Sequence, residues 1–195
     1  MHEPVSLRIA VDAFSDEDGW TDPEARRRRH NSARMFFNDG QVRSQVPTSR
    51  GKTALYGPSG VLVLRLVLFA HEHHLNRSFV AALSDWLHGA GTDLDRAPDD
   101  ELGKVRSLRT RAEEAVMRVA DGEEVALVCD LGGRDGRWFS LDPANPPGGL
   151  NEKAAEMLAD ASIARERDAP PLRLRFDLKA IVLSVLERLA DEGGA

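Results

Sequence analysis

The residues with chemical reach in this sequence are mostly cations, and they are unevenly placed. Between Arg26 and Arg77 stand ten basic residues: Arg26, Arg27, Arg28, Arg29, Arg34, Arg43, Arg50, Lys52, Arg65 and Arg77. Only Asp39 and Glu72 oppose them, so the window carries +8, whereas the whole chain carries −6 and the remainder therefore −14. A basic stretch on an otherwise acidic protein is the electrostatic footprint of phosphate binding. Arg26 to Arg29 cover every face of a helix, so at least one of the four must point inward or lay its stem along the core.

Other reactive residue types lack the spacing that chemistry requires. His71-Glu72-His73-His74 is not a zinc-protease motif, because the residue four after His71 is Leu75 rather than a second ligand. His71 and His74 can share a helix face, but no third ligand accompanies them. Gly132-Gly133-Arg134-Asp135-Gly136 lacks the Gly-Lys-Ser/Thr ending of a phosphate loop and reads as a hairpin turn. Ser84-Asp85 and Ser140 form no nucleophile elbow. Cys129 is the single cysteine, which excludes an intramolecular disulfide and a thiolate-rich metal site. It lies in an apolar strand and is expected to be buried and inert. No enzyme, metal or cofactor is called for.

The elements that must position the cations follow from local signals. Leu7, Ile9, Val11 and Phe14 fit a short helix or a strand, and both readings stand. Thr21 or Asp22 caps a helix that opens with Pro23, runs from about 23 to 38 and stops at Gly40, the left-handed residue. Gln41 to Leu55 reads as a polar hairpin or loop. An apolar helix covers about 59–74 and a second begins at Asn76 or Arg77, with Phe79, Leu83, Trp86 and Leu87 on one stripe. From about 99 to 120, Leu102, Val105, Leu108, Ala112, Ala115 and Val119 form a seam suited to a coiled coil or to packing within its own domain. The last third predicts strands at Val125–Asp130, Arg137–Leu141 and Leu172–Phe176. Helices at about 151–167 and 177–190 accompany them, and Trp138 and Phe139 lie near the core or the binding surface of this region.

The stretch Ala33-Arg34-Met35-Phe36-Phe37-Asn38-Asp39-Gly40-Gln41-Val42 resembles the end of the recognition helix of MerR-family regulators. Val46-Pro47-Thr48-Ser49-Arg50-Gly51-Lys52 is similar to that family's basic wing. Leu55-Tyr56-Gly57-Pro58-Ser59-Gly60-Val61, followed by the apolar helix with embedded Arg65, looks like its third helix and the tyrosine before it. Leu75 to Phe79 stands where the family bends before its fourth helix. The resemblance covers residues of about 31–88. Phe36 and Phe37 replace the family's usual tyrosines and cannot donate to a phosphate, so the pair is expected in the core.

The resemblance implies a winged helix-turn-helix module at 1–95. The residues beyond it read as a linking or dimerisation helix at 96–122 and a small α+β regulatory or oligomerisation region at 123–195, so the fold expected is mainly α with small β. The resemblance also implies a transcription regulator that binds double-stranded DNA as a homodimer, with a protein partner accommodated by the C-terminal region. The expected DNA contacts are Arg26, Arg27, Arg28, Arg29, Arg34, Arg43, Arg50, Lys52, Tyr56 and Arg65. The alternative is an adaptor that docks a protein through its helical N-terminal half. The N-terminus lacks a signal-peptide pattern, and the longest apolar run, Val61 to Ala70, is too short to span a bilayer. The expected location is cytoplasmic, with no membrane association.

Overall fold

Leu7, Ile9 and Val11 alternate as in a strand, yet Ser6 ends the extended run. Its side chain accepts from the Ile9 amide at 3.3 Å and so caps a helix. In a computed structural model of the chain, which describes residues 4–45, 53–90, 109–133, 136–143 and 172–192, the helical reading of Leu7, Ile9, Val11 and Phe14 holds and the strand is confined to the two residues before them. Val5–Ser6 forms β1, and Leu7–Glu17 forms α1. Asp22 then caps α2, Pro23–Asn38, through the amides of Glu24 and Ala25. Gly40, at φ +73°, takes the left-handed turn that follows it.

Residues 46–52, the expected basic wing, lie outside the described residues. Beyond them, β2 (Leu55–Tyr56) pairs antiparallel with β1, Val5 opposite Tyr56 and Ser6 opposite Leu55. The two short strands tie the start of the chain to the entry of α3, Pro58–Glu72.

Helix α3 is apolar on nearly all sides. Val61, Leu62, Val63, Leu64, Leu66, Val67, Leu68 and Ala70 are all buried. A helix without a polar face belongs at the centre of a domain, and each such Leu or Val contributes about 1.5–3 kcal/mol by leaving water. Asn76 caps α4 (Arg77–His88) by accepting from the Phe79 amide at 2.8 Å, and α4 buries Phe79, Val80, Leu83 and Leu87. No helix among the described residues is long and apolar enough to cross a membrane.

Of the helix expected at 99–120, the described part is α5, Arg111–Ala120. Ala112, Ala115 and Val119 are buried within the single chain. This part of the seam is therefore filled by the chain itself. Leu102, Val105 and Leu108 lie outside the described residues, as does the helix expected at 151–167.

The three strands of the last third form one antiparallel sheet. Its central strand is β3 (Val125–Gly133), flanked by β4 (Gly136–Pro143) and β5 (Leu172–Asp177). Leu127 stands opposite Leu141 on one side and Phe176 on the other, and Cys129 opposite Phe139 and Leu174. Val125 to Cys129 are buried on both faces, so Cys129 is an internal thiol, and Phe139 is half-buried. Asp177 caps the last helix, α6 (Leu178–Glu192), by accepting from the Lys179 amide at 2.9 Å.

Mainly helical structure with small antiparallel sheets is the architecture. It divides into two compact units, Met1–Met117 with Ile181–Ala195, and Arg118–Ala180. From Ile181 onward the last helix groups with the first unit, and Ser184 Oγ donates to the Glu17 carboxylate of α1 at 3.0 Å.

Candidate nucleic-acid interface

The arginine run of α2 splits by helical phase. Arg29, Ala33 and Phe36 form the buried stripe. The opposite side presents Glu24, Arg27, Arg28, Asn31, Arg34, Met35 and Asn38, all exposed. These positions recur at steps of three and four and so share one helix face.

The buried stripe carries a cation, and its partners explain how. The Arg29 side chain is only 1% exposed. Its Nε donates to Glu72 Oε1 at 2.6 Å and its Nη2 to Glu72 Oε2 at 2.8 Å and Asp18 Oδ2 at 2.5 Å. The guanidinium lies over the Trp20 ring, 4.1 Å from the centroid. Arg65 of α3 adds a second fork, Nη1 to Asp18 Oδ2 and Nη2 to Asp18 Oδ1, both at 2.6 Å, and lies 5.0 Å from the Phe14 ring centroid. Two guanidiniums thus share one carboxylate, an arrangement suited to planar bidentate pairing. Burial alone would raise the Asp18 pKa. The hydrogen bonds and charges of Arg65 and Arg29 outweigh it and hold the carboxyl below the usual carboxylate range. The same carboxylates hold the Arg65 guanidinium above its ordinary pKa, against its own desolvation.

Arg26 is also occupied. It pairs with Asp16, and its Nε donates to the Trp20 carbonyl at 2.5 Å. His30 Nε2 lies 2.8 Å from Asp12 Oδ1. Arg26, Arg29 and His30 therefore fasten α2 to α1 and the turn between them, and Arg29 joins it to the end of α3. The helix is thus fastened along its inner side.

Three of the expected contacts are drawn inward. Arg29 and Arg65 are internal ion-pair partners, because Asp18 and Glu72 draw them inward. Tyr56 is 0% exposed, its hydroxyl buried without a hydrogen-bond partner among the described residues and its ring edge-on to Phe37 at 6.2 Å. Desolvation pushes its phenol up to about 12. Phe36 is buried as expected, edge-on to His71 at 5.3 Å.

What the fold brings together is a smaller cationic face. Arg27 and Arg34 are exposed on α2 with no acidic partner among the described residues, and Arg28 lies 3.7 Å from Glu24 in an exposed pair of little strength. Arg43 is exposed beyond the end of α2. Arg50 and Lys52 lie outside the described residues. Sequence reasoning missed Asn31, Met35 and Asn38, which the helical phase set by Ala33 and Phe36 would have placed beside Arg27 and Arg34. Among the described residues no cluster of three metal-ligating side chains occurs. No protein-family model and no curated protein matches this chain.

Proposed function

We propose that this chain is a transcription regulator that binds double-stranded DNA, with α2 as its recognition helix. The observation that carries the reading is the division of α2 into two faces. One is fixed to α1 and α3 through Arg29 and Phe36; the other offers Arg27, Arg28, Arg34, Asn31 and Asn38 to solvent. A helix presenting cations and amides from a rigid mount suits the major groove, where cations meet flanking phosphates and amide side chains read base edges. Supporting it, α2 and α3 flank the segment that resembles the MerR wing, and Arg50 and Lys52 in that segment are its proposed backbone contacts.

A palindromic site is read by two copies, so a homodimer belongs to the proposal. Leu183 of α6, 40% exposed, is an apolar residue available to such an interface. The C-terminal sheet is proposed to modulate the DNA-binding half or to receive a protein partner.

Binding of random duplex DNA, followed by anisotropy across a salt series, tests the reading. The Arg27→Ala/Arg34→Ala double variant should weaken binding to all sequences and flatten the log–log salt slope by about two, one unit per lost phosphate contact. An unchanged slope would remove α2 from the interface. No DNA binding by the wild type at low salt would favour the adaptor reading instead.

A further inference from the structure

A cleft of about 760 Å³ opens beside the N-terminus of α3, within the range of small-molecule sites. Its lining is two-sided. Arg43, Arg109 and His88 contribute cationic or titratable groups, and Pro58, Val116 and Met117 contribute apolar surface. Ser59 and Gly60, in the first turn of α3, also face it. The N-cap of α3 is Gly57, which makes no side-chain cap hydrogen bond, and Pro58 has no amide hydrogen. The Gln45 side-chain amide occupies the place a Cβ at position 57 would take, and would have to swing aside to admit a serine or aspartate cap.

The opposing wall is built differently. Thr110 and Glu113 cap α5 reciprocally: the Thr110 amide donates to Glu113 Oε2 at 2.7 Å, and the Glu113 amide to Thr110 Oγ1 at 3.2 Å. Among the described residues Glu113 is the one acidic residue lining the cleft, and its carboxylate is engaged at its own helix end. Arg111 fixes this wall to α4 by donating to the Trp86 carbonyl at 2.9 Å and lying over the Trp86 ring. His88 Nε2 lies 3.3 Å from the Gln41 carbonyl. Burial, then the charge of Arg43, lower the His88 pKa, while Gln41, Asp85 and Glu113 act the other way. A carbonyl oxygen can only accept, so His88 Nε2 donates to it, and the ring stands within reach of the Arg43 charge.

We propose that this cleft binds a small organic oxyanion, a phosphate or carboxylate carrying an apolar group. The anionic end would meet Arg43, Arg109 and the first turn of α3, where the helix dipole favours negative charge. The apolar group would lie on Val116 and Met117. The site does not rest on the DNA-binding reading, and apart from Arg43 the two share no residue.

Phenyl phosphate, inorganic phosphate and phenol, titrated into the full chain without DNA by calorimetry, test the proposal. Phenyl phosphate should saturate one site with a Kd of about 1 mM or tighter, inorganic phosphate should compete more weakly, and phenol should not bind. Arg43→Ala, at an exposed position, should weaken phenyl phosphate by roughly tenfold or more, the loss expected for a charge-assisted hydrogen bond. Val116→Phe should fill the apolar side and exclude phenyl phosphate while sparing inorganic phosphate. Failure of phenyl phosphate to saturate, equal binding of phenol, or indifference to Arg43→Ala would each overturn the site. Because no DNA is present, either result leaves the anisotropy test of α2 independent.

Discussion

Arg29 and Glu72 meet as a two-pronged ion pair, Nε to Oε1 at 2.6 Å and Nη2 to Oε2 at 2.8 Å, although 43 positions separate them in sequence. The pair locks the middle of α2 to the C-terminal end of α3. It converts the most suggestive feature of the sequence, the four-arginine run, into one structural cation, one fastener and two exposed charges.

Removing one partner of a buried pair costs up to about 3–5 kcal/mol where the remaining charge loses all compensation. Glu72→Ala leaves the buried Arg29 with Asp18 alone, so it and Arg29→Ala should each cost between about 1 and 3 kcal/mol by urea unfolding, whereas Arg27→Ala and Arg28→Ala should stay within about 0.5 kcal/mol. A loss below about 1 kcal/mol in Arg29→Ala would mean that the pair is not a stability determinant.

Asp18 adds a pH dependence to the same cluster. Its folded-state pKa is depressed from the ordinary 3.8, so its contribution is fully present above that value and is lost as pH falls through the lower folded one. Stability of the wild type should decline over that acidic window more steeply than that of Asp18→Asn. Parallel curves for the two would contradict the arrangement.

Much of this fold was legible because local rules and tertiary packing agree. Asp22-Pro23 starts a helix and Gly40 ends the turn after it, with no help from the rest of the molecule. Val61 to Leu68 declares its own burial by lacking a polar face. The three C-terminal strands follow from apolar and β-branched runs bounded by turns. What could not be read was the fate of each cation. Arg29 differs from Arg28 only in helical phase, and its burial depends on Asp18 and Glu72 arriving from a turn and another helix. The cleft was equally hidden, since Arg43, His88 and Arg109 form no motif and converge only through the packing of α3, α4 and α5.

Asn31 lies on the exposed face of α2 beside Arg27 and Arg34 and has the side chain suited to paired contacts with adenine. On the proposed function, Asn31→Ala should reduce discrimination between the preferred site and random DNA by about 1–3 kcal/mol and leave the salt slope unchanged. Loss of affinity for all sequences alike would assign Asn31 to the backbone.

Tyr56 is a second test of the expected interface. Its hydroxyl is buried without a partner among the described residues, so Tyr56→Phe removes a desolvated donor and leaves the ring contact with Phe37. The variant should match or exceed the wild type in stability, by up to about 1 kcal/mol, and bind DNA equally well. A drop of several-fold in DNA affinity would restore the tyrosine to the interface.

His88 gives the opposite titration to a newly formed histidine ion pair. Its folded pKa is lowered from 6.5 by burial and by Arg43, so below that value the unfolded chain binds more protons than the folded one. Stability should therefore rise with pH from the lowered folded value up to about 6.5 and level off above it. His88→Asn, which retains a donor for the Gln41 carbonyl, should remove that portion of the slope. An oxyanion held at Arg43 would offset the charge that disfavours protonation. Saturating phenyl phosphate should thus raise the His88 pKa, visible as a shift of its ring resonances to higher titration midpoint. A midpoint unmoved by the ligand would separate His88 from the cleft, whatever the affinity of phenyl phosphate elsewhere on the protein.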